Sequence, residues 1–467
     1  MGRRRKDRQQ FYENVELLAA GGEGHALAKI EGKVIFVKYG APGDVVDLKI
    51  VGRKKKFSLA NITKIHKASE NRVDSFCEHY GTCGGCKWQH IDYEVQKELK
   101  DQWARDCMQR IGKVEIAETL PLIGSSTQTF YRNKMEYTFS NKRWLYENEN
   151  IDELDHTNAL GFHAPGRFDK VLAIDKCWLQ DDVGNQIRNF VYKYCIENQY
   201  LFYDLKEHTG LMRNLMLRNT KAGDWMVNVV FAKDESENIQ NLMNAIKAEF
   251  NPTALNYCIN TKLNDSIFDQ EFISYSGAFE IQEELCGLKF NISPKSFFQT
   301  NPKQAEVLYD VAIDFAGITK ESVVYDLYCG TGTITCVAAK KAKKAVGVEI
   351  VEEAIDAANI NAELNGLDNV TFLAGDMKDV FNADFYESHG RPDVIITDPP
   401  RSGMHPKVVS FLAEIACPMI VYVSCNPATQ ARDLAMLDEK YRVVKSQAVD
   451  MFPQTHHVEN VVVLELR

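Results

Sequence analysis

The chain has 467 residues, 45 % of them hydrophobic, enough for two or three domains with separate cores. Its net charge of −10 argues weakly against a nucleic-acid partner, and no apolar run approaches the roughly eighteen residues of a membrane-spanning helix, so no membrane association is expected. The N-terminal MGRRRKDRQQF is positive but lacks an apolar segment behind it, so it is not a secretory signal and a cytoplasmic protein is expected.

The charge is unevenly placed. Residues 1–68 hold 15 Lys and Arg against 7 Asp and Glu, a balance of +8 that leaves −18 on the rest. Phosphate contacts are local, so this asymmetry matters more than the total. Val15 to Ile65 reads as short alternating strands with glycine turns, among them KVIFVKYG and DVVDLKIVG, followed by the basic run Arg53–Lys56. The spacing predicts a small β-barrel with basic loops, and it resembles a TRAM domain, the OB-like RNA-binding barrel of many RNA-modifying enzymes.

Next, CEHYGTCGGCKW places Cys77, Cys83 and Cys86 at spacings of five and two residues. Most of the twelve cysteines are expected to be small core residues in a reducing compartment, but three at this spacing suggest metal ligands. Cys177 is the nearest solitary candidate for a fourth, and the spacing alone leaves zinc and an iron–sulfur cluster open. An amphipathic helix is predicted over about 93–111. Residues 127–290 alternate antiparallel-type strands (MEYTFS, KVLAI, WMVNVVFA, EFISYSG) with the helical NIQNLMNAIKAEF.

From 291 the rhythm becomes strand–helix–strand: VVYDLYCG, KAVGVEI, VTFLAGD, DVIITDPP, MIVYVSC. Such apolar runs are those of a parallel sheet covered on both faces. The last two strands, YRVVKSQAV and VENVVVLEL, are too close for a parallel crossover, so the final one is expected to be antiparallel. That is the shape of an S-adenosylmethionine-dependent methyltransferase. The expected organisation is therefore a barrel over 1–68, a central α+β domain over 69–290 with helix 93–111 packing on the catalytic part, and an α/β, Rossmann-like methyltransferase domain over 291–467.

Three strand ends carry the cofactor argument. DLYCGTGT turns from strand to helix with Gly330 and Gly332 but lacks the third glycine of a dinucleotide cradle. Glu349 ends the next strand, placed for the ribose hydroxyls, and Asp376 the one after, placed for an adenine amino group. Asp398, in DPPRSG, ends the fourth strand, where an acid before Pro-Pro is shared by enzymes that methylate exocyclic amines. Cys425 ends the fifth, just before the helix-opening Asn426-Pro427, where the helix dipole is expected to lower its pKa. Carbon 5 of a pyrimidine needs a thiolate at carbon 6 before it can accept a methyl group, and afterwards a base to remove its proton; Glu459 is the candidate base.

FFQTN, DLYCGTGT, DPPRSG, SCNPATQARDL and HHVENVVVLEL together resemble the signature set of the RNA uracil-5-methyltransferases, and with the barrel and cysteines the likeness is nearest to the enzymes acting on 23S rRNA. The resemblance implies Cys425 as nucleophile and Glu459 as base. It implies donor contacts from Gln299, Tyr328, Glu349 and Asp398, which join Gly330, Gly332, Thr333 and Asp376 as the expected donor site. It also implies a 4Fe–4S cluster on Cys77, Cys83, Cys86 and Cys177, as an organiser and not the reacting centre. Tyr328 stands where phenylalanine is usual, and Thr333-Ile334 where Asn-Phe is. A flipped uracil would stack on Phe298 or Tyr328, with Arg132 and Lys134, and Arg213 and Arg218, as RNA contacts. A monomer is expected. The rivals are a tRNA uridine as target, an exocyclic-amine methyltransferase that would not need Cys425, and an RNA-binding iron–sulfur protein with a vestigial fold.

Overall fold

The structure, a computed structural model, describes residues 10–146, 149–380 and 383–467. The chain divides into two compact units. One runs to Trp103 and includes Phe452–His457; the other comprises Ala104–Met451 and Val458–Arg467.

In the first unit, β1 (Phe11–Glu16), β2 (Ala19–Ala20), β3 (Ala26–Ile30), β4 (Lys33–Lys38), β5 (Val45–Arg53) and β6 (Phe57–Lys67) form one sheet in the order β1-β5-β6-β4-β3-β2. Only β4 and β6 run parallel. Alternate residues turn inward, and Leu17, Ala28, Ile35, Val37, Val46, Leu48 and Ala60 make a single cluster, so the sheet curls around its own core. No pairing closes it among the described residues. Arg53–Lys56, at the β5–β6 turn, are all exposed. The buried Asp44 ties the sheet to the next segment: it accepts from the Ala41 and Ser69 N–H groups (2.7 and 2.9 Å) and from both ends of the Arg72 fork (2.7 Å each). Helix α1 (Tyr93–Cys107) begins here. Its buried Gln96 exchanges two 3.0 Å hydrogen bonds with Gln454.

The second unit holds two large sheets. β8 (Lys134–Ser140), β9 (Ala159–His163), β10 (Val171–Ala173), β11 (Met212–Asn219), β12 (Trp225–Phe231), β13 (Ala254–Ile259) and β14 (Ile273–Gly277) give the order β10-β9-β8-β11-β12-β13-β14. Helices α2 (Asp182–Glu197) and α3 (Ser236–Phe250) cover one face through Ile187, Val191, Leu242 and Met243. α3 is also the crossover that lets β12 and β13 run parallel. A hairpin follows, β15 (Ile281–Leu285) and β16 (Leu288–Ile292), turning on Cys286 and Gly287 at positive φ.

The other sheet is built from β17 (Val323–Leu327), β18 (Lys344–Glu349), β19 (Val370–Ala374), β20 (Val394–Thr397), β21 (Met419–Ser424), β22 (Tyr441–Val449) and β23 (Glu459–Leu466), with β7 (Ile116–Ile123) at its edge. The helices are α4 (Pro302–Phe315), α5 (Thr333–Ala339), α6 (Glu352–Leu364), α7 (Met377–Val380), α8 (Ala383–His389), α9 (Pro406–Ile415) and α10 (Pro427–Leu437). The order β19-β18-β17-β20-β21-β23-β22-β7 has a reversal between β17 and β20, and β23 alone runs antiparallel between its neighbours. The expected antiparallel last strand is present. Unforeseen was β7, which lies within 69–290 yet pairs parallel with β22. The helix expected over 93–111 stops at Cys107 and ends in a π-turn, Met108–Gly112, that packs on Ala431 of α10.

Candidate active site

β17 ends at the switch point, where open α/β sheets bind ligands. The turn out of it needs three left-handed residues, Tyr328 (φ 66°), Gly330 (φ 53°) and Gly332 (φ 79°). A side chain at Gly332 would meet Phe372 at 2.7 Å and Ala358 at 2.9 Å, so glycine is required for packing. A Cβ at Gly330 would meet nothing within 4 Å, which leaves open space against the backbone there. Glu349, one strand over, accepts from the Gly330 N–H (3.2 Å) and from Ile350 and Val351 (2.8 and 3.2 Å), so the loop and the carboxylate orient one another. The hydroxyl of Thr333, at the first turn of α5, lies 3.0 Å from that of Tyr309. Asp376 follows β19 and starts α7, whose Asp379 and Val380 N–H groups donate to its carbonyl.

Sequence reading missed Asp326, the first letter of DLYCGTGT. It is buried, takes a 2.5 Å hydrogen bond from Thr335, and leaves its other oxygen without a hydrogen-bond partner. Burial, reinforced by Asp398 and Glu349, pushes it up to about 7. Asp398 is likewise pushed up to about 7 by burial, though part of its surface stays open to the cleft. Glu459 is raised well above the carboxylate range by burial and then by Asp398. Four carboxylates thus stand at the ends of β17, β18 and β20 and the start of β23, with Asp398 near enough to raise both Asp326 and Glu459. Carboxylates in these places suit a sulfonium methyl donor with ribose hydroxyls.

The Pro-Pro loop is held by α10. The Arg401 carbonyl accepts from Asn426 and Thr429 (3.1 and 3.2 Å), and those of Ser402 and Met404 from Arg432 (3.1 and 3.2 Å). Buried Asp433 accepts from the Met404 N–H and the Tyr422 hydroxyl, both at 2.8 Å, and from Arg432. Cys425 lies between β21 and α10, whose N-cap is Asn426 (Ala428 N–H, 3.2 Å) with Pro427 next. The β21–β23 pairing ends at Ser424↔Asn460, so Cys425 follows and Glu459 precedes the last paired residues, and Glu459 is near enough to act on the thiol. The pair is braced beneath by Gln430, which donates to the Tyr422 and Asn460 carbonyls (2.8 and 3.1 Å) while accepting from the Asn460 amide (2.9 Å).

Cys425 departs from expectation. Its thiol is pushed up to about 12, first by burial, then by Glu459 and Asp398; Arg401 and its own backbone N–H oppose this and lose. Burial is the largest cause, and the two adjacent carboxylates add to it.

Some sequence-predicted residues do not reach the site as expected. Phe298 is 3 % exposed and packs on Phe290 at 6.1 Å, so its ring is core; its neighbour Phe297 is 73 % exposed. Arg213 and Arg218 are buried too, 2 % and 3 % exposed. Lys134 pairs with Glu136 at 2.6 Å, and Arg132 bridges to Gln180 through its backbone. The Gln299 carbonyl accepts from Asn133 (3.2 Å), and the Asn301 cap of α4 reaches the Met451 carbonyl (2.9 Å). Met451 lies two residues beyond Val449, the β22 partner of Glu459. Cys77, Cys83 and Cys86 lie half-buried in a turn-rich loop, and Asn185 pins both sides of the Cys177 backbone (2.8 and 3.1 Å). Among the described residues no three His, Cys, Asp or Glu side chains gather as a candidate metal site.

Comparison with known proteins decides the family. Residues 199–467 match the family model described as tRNA (uracil-5-)-methyltransferase. This chain belongs to that family. An uncharacterized RNA methyltransferase of Bacteroides thetaiotaomicron is 51 % identical over 95 % of this chain and 99 % of its own length. One of Porphyromonas gingivalis is 50 % identical over 96 % and 99 %. The crystal structure of Pyrococcus abyssi tRNA (uracil-54, C5)-methyltransferase in complex with S-adenosyl-L-homocysteine shares 28 % identity, covers 96 % of this chain and 100 % of that one, and superposes with a TM-score of 0.75. The uracil-5-methyltransferase described here is thus an S-adenosylmethionine-dependent RNA methyltransferase, and its catalytic sheet is the α/β methyltransferase fold. No described helix is long and apolar enough to cross a membrane.

Proposed function

We propose that this enzyme methylates carbon 5 of a uridine in 23S rRNA, with Cys425 as nucleophile and Glu459 as base. The observation that supports this reading is that the β21–β23 pairing ends at Ser424↔Asn460, with Cys425 the next residue on one strand and Glu459 the preceding residue on the other. Cys425 gives up its proton through the Asp398–Glu459 pair to water, and its sulfur bonds to carbon 6 of a flipped uracil. S-adenosyl-L-methionine, when bound, supplies the methyl group taken up at carbon 5. Glu459 then removes the carbon 5 proton, and the carbon 6–sulfur bond breaks to return the thiolate.

Glu349, Asp376, Gly330 and Gly332 are assigned to the donor, together with Tyr328, Gln299, Thr333 and Asp398. Phe297 replaces Phe298 as the ring available to the extruded base. The curled N-terminal sheet is read as the TRAM domain, its exposed Arg53–Lys56 meeting RNA phosphate, and the enzyme as a monomer. A tRNA uridine is the second reading, favoured by the Pyrococcus abyssi relative. A 4Fe–4S cluster on Cys77, Cys83, Cys86 and Cys177 rests on spacing and resemblance only, and no step passes through it; iron and sulfide in anaerobically purified protein, lost in Cys83→Ser, would support it, and stoichiometric zinc would replace it.

The deciding experiment is tritium release from carbon 5 of uridine in unmodified rRNA and tRNA transcripts. Release should require both the methyl donor and Cys425. Methyl incorporation without release would move the reaction to an exocyclic amine and leave Cys425 as packing.

A further inference from the structure

Arg213 and Arg218 face inward, and each holds a loop. Arg213 donates to the carbonyls of Asn260 (2.7 Å), Lys262 (2.5 Å) and Asn264 (2.9 Å) and to Asp265 (2.9 Å), with its guanidinium 4.5 Å over Tyr203. Buried Asn260 adds bonds to the Asn264 and Ser266 carbonyls, both 3.2 Å. Ile267 then turns into a cluster with Met216, Val230 and Cys258. A loop fastened this tightly nonetheless leaves Leu263 70 % and Phe268 74 % exposed.

Lys295 links it to a second loop by donating to the Phe268 carbonyl (3.0 Å). Arg218 holds that second loop at the Ser296 carbonyl (3.0 Å), next to exposed Phe297, and the loop ends at Asn301, which donates to the Met451 carbonyl. The loop that carries Phe268 is therefore tied to the loop that carries Phe297.

We propose that Phe268, supported by Leu263, is a second nucleotide platform, stacking on an unpaired base next to the target uridine. This rests on the RNA-methylation reading above. The charges nearby favour base over phosphate: Lys262 is already paired with Asp269 and Arg213 with Asp265, so the loop presents its ring and not these cations. A ring held by a preorganised loop loses little entropy on stacking.

The test compares Phe268→Ala with Ile360→Ala, an exposed position on α6, using whichever rRNA or tRNA transcript the wild type methylates. Phe268→Ala should raise KM for RNA by about tenfold, leave kcat and donor KM within about twofold, and be rescued by Phe268→Trp. An RNA KM equal to that of the control, or no rescue by tryptophan, overturns the proposal and leaves the rim to a protein partner. If the wild type methylates neither transcript, the functional reading fails first. Anisotropy of a labelled single-stranded RNA 12-mer then decides separately: about tenfold weaker binding by Phe268→Ala upholds the platform, and unchanged affinity overturns it.

Discussion

Cys425 sits where two carboxylates oppose the charge it must carry. Burial raises both groups, the thiol to about 12 and Glu459 well above the carboxylate range; Glu459 and then Asp398 add to the first, and Asp398 adds to the second. Glu459→Gln removes that opposing charge. Alkylation of Cys425 by iodoacetamide at pH 8 should speed up in this variant even though turnover stops, and RNA should stay covalently attached for want of a base; alkylation at the wild-type rate would show that Glu459 does not govern the thiol. The same coupling sets a pH profile. Glu459 works ionised and its pKa is raised, so kcat should rise with pH as the pair loses its proton. Asp398→Asn removes the repulsion that holds Glu459 up, so the rising limb should move to lower pH; a shift upward would contradict the coupling.

At the scale of elements, α10 both starts beside the nucleophile and holds the neighbouring loop. Asp433 is the joint, taking the Met404 N–H, the Tyr422 hydroxyl and the Arg432 guanidinium while almost fully buried. Asp433→Ala leaves a buried N–H and a buried hydroxyl without acceptors, at a cost of about 1–3 kcal/mol for each. A lower Tm is expected, with kcat falling more than donor KM because Asp398 and Arg401 ride on the loop; a variant with wild-type Tm and kcat would show that Asp433 does not position them. The register brace of Gln430 and Asn460 belongs to the same scale: in the sequence these are two amides thirty residues apart, and nothing there says that they pair.

At the scale of the whole molecule, a chain of net charge −10 carries +8 over residues 1–68. If Arg53–Lys56 meet phosphate, replacing Lys54, Lys55 and Lys56 by alanine should flatten the dependence of RNA affinity on salt by about 0.9 in log–log slope per lost contact in a duplex region. Donor affinity should not change. An unaltered slope would place the phosphate contacts elsewhere.

The sequence by itself determined the methyltransferase sheet, the strand-end positions of Glu349, Asp376, Asp398 and Cys425, and the antiparallel last strand. These are legible because apolar strand runs, glycine turns and helix caps are local signals. Tertiary structure alone decided the rest. Whether Phe297 or Phe298 faces out depends on Phe290 from a different element. The inward turn of Arg213 and Arg218 depends on carbonyls dozens of residues away, and β7 leaves the central region to pair with β22. The acidity of Cys425 differs from the local expectation for the same reason: the helix terminus beside it is visible in the sequence, whereas the burial of the thiol, and the Glu459 and Asp398 that add to it, come only with the fold.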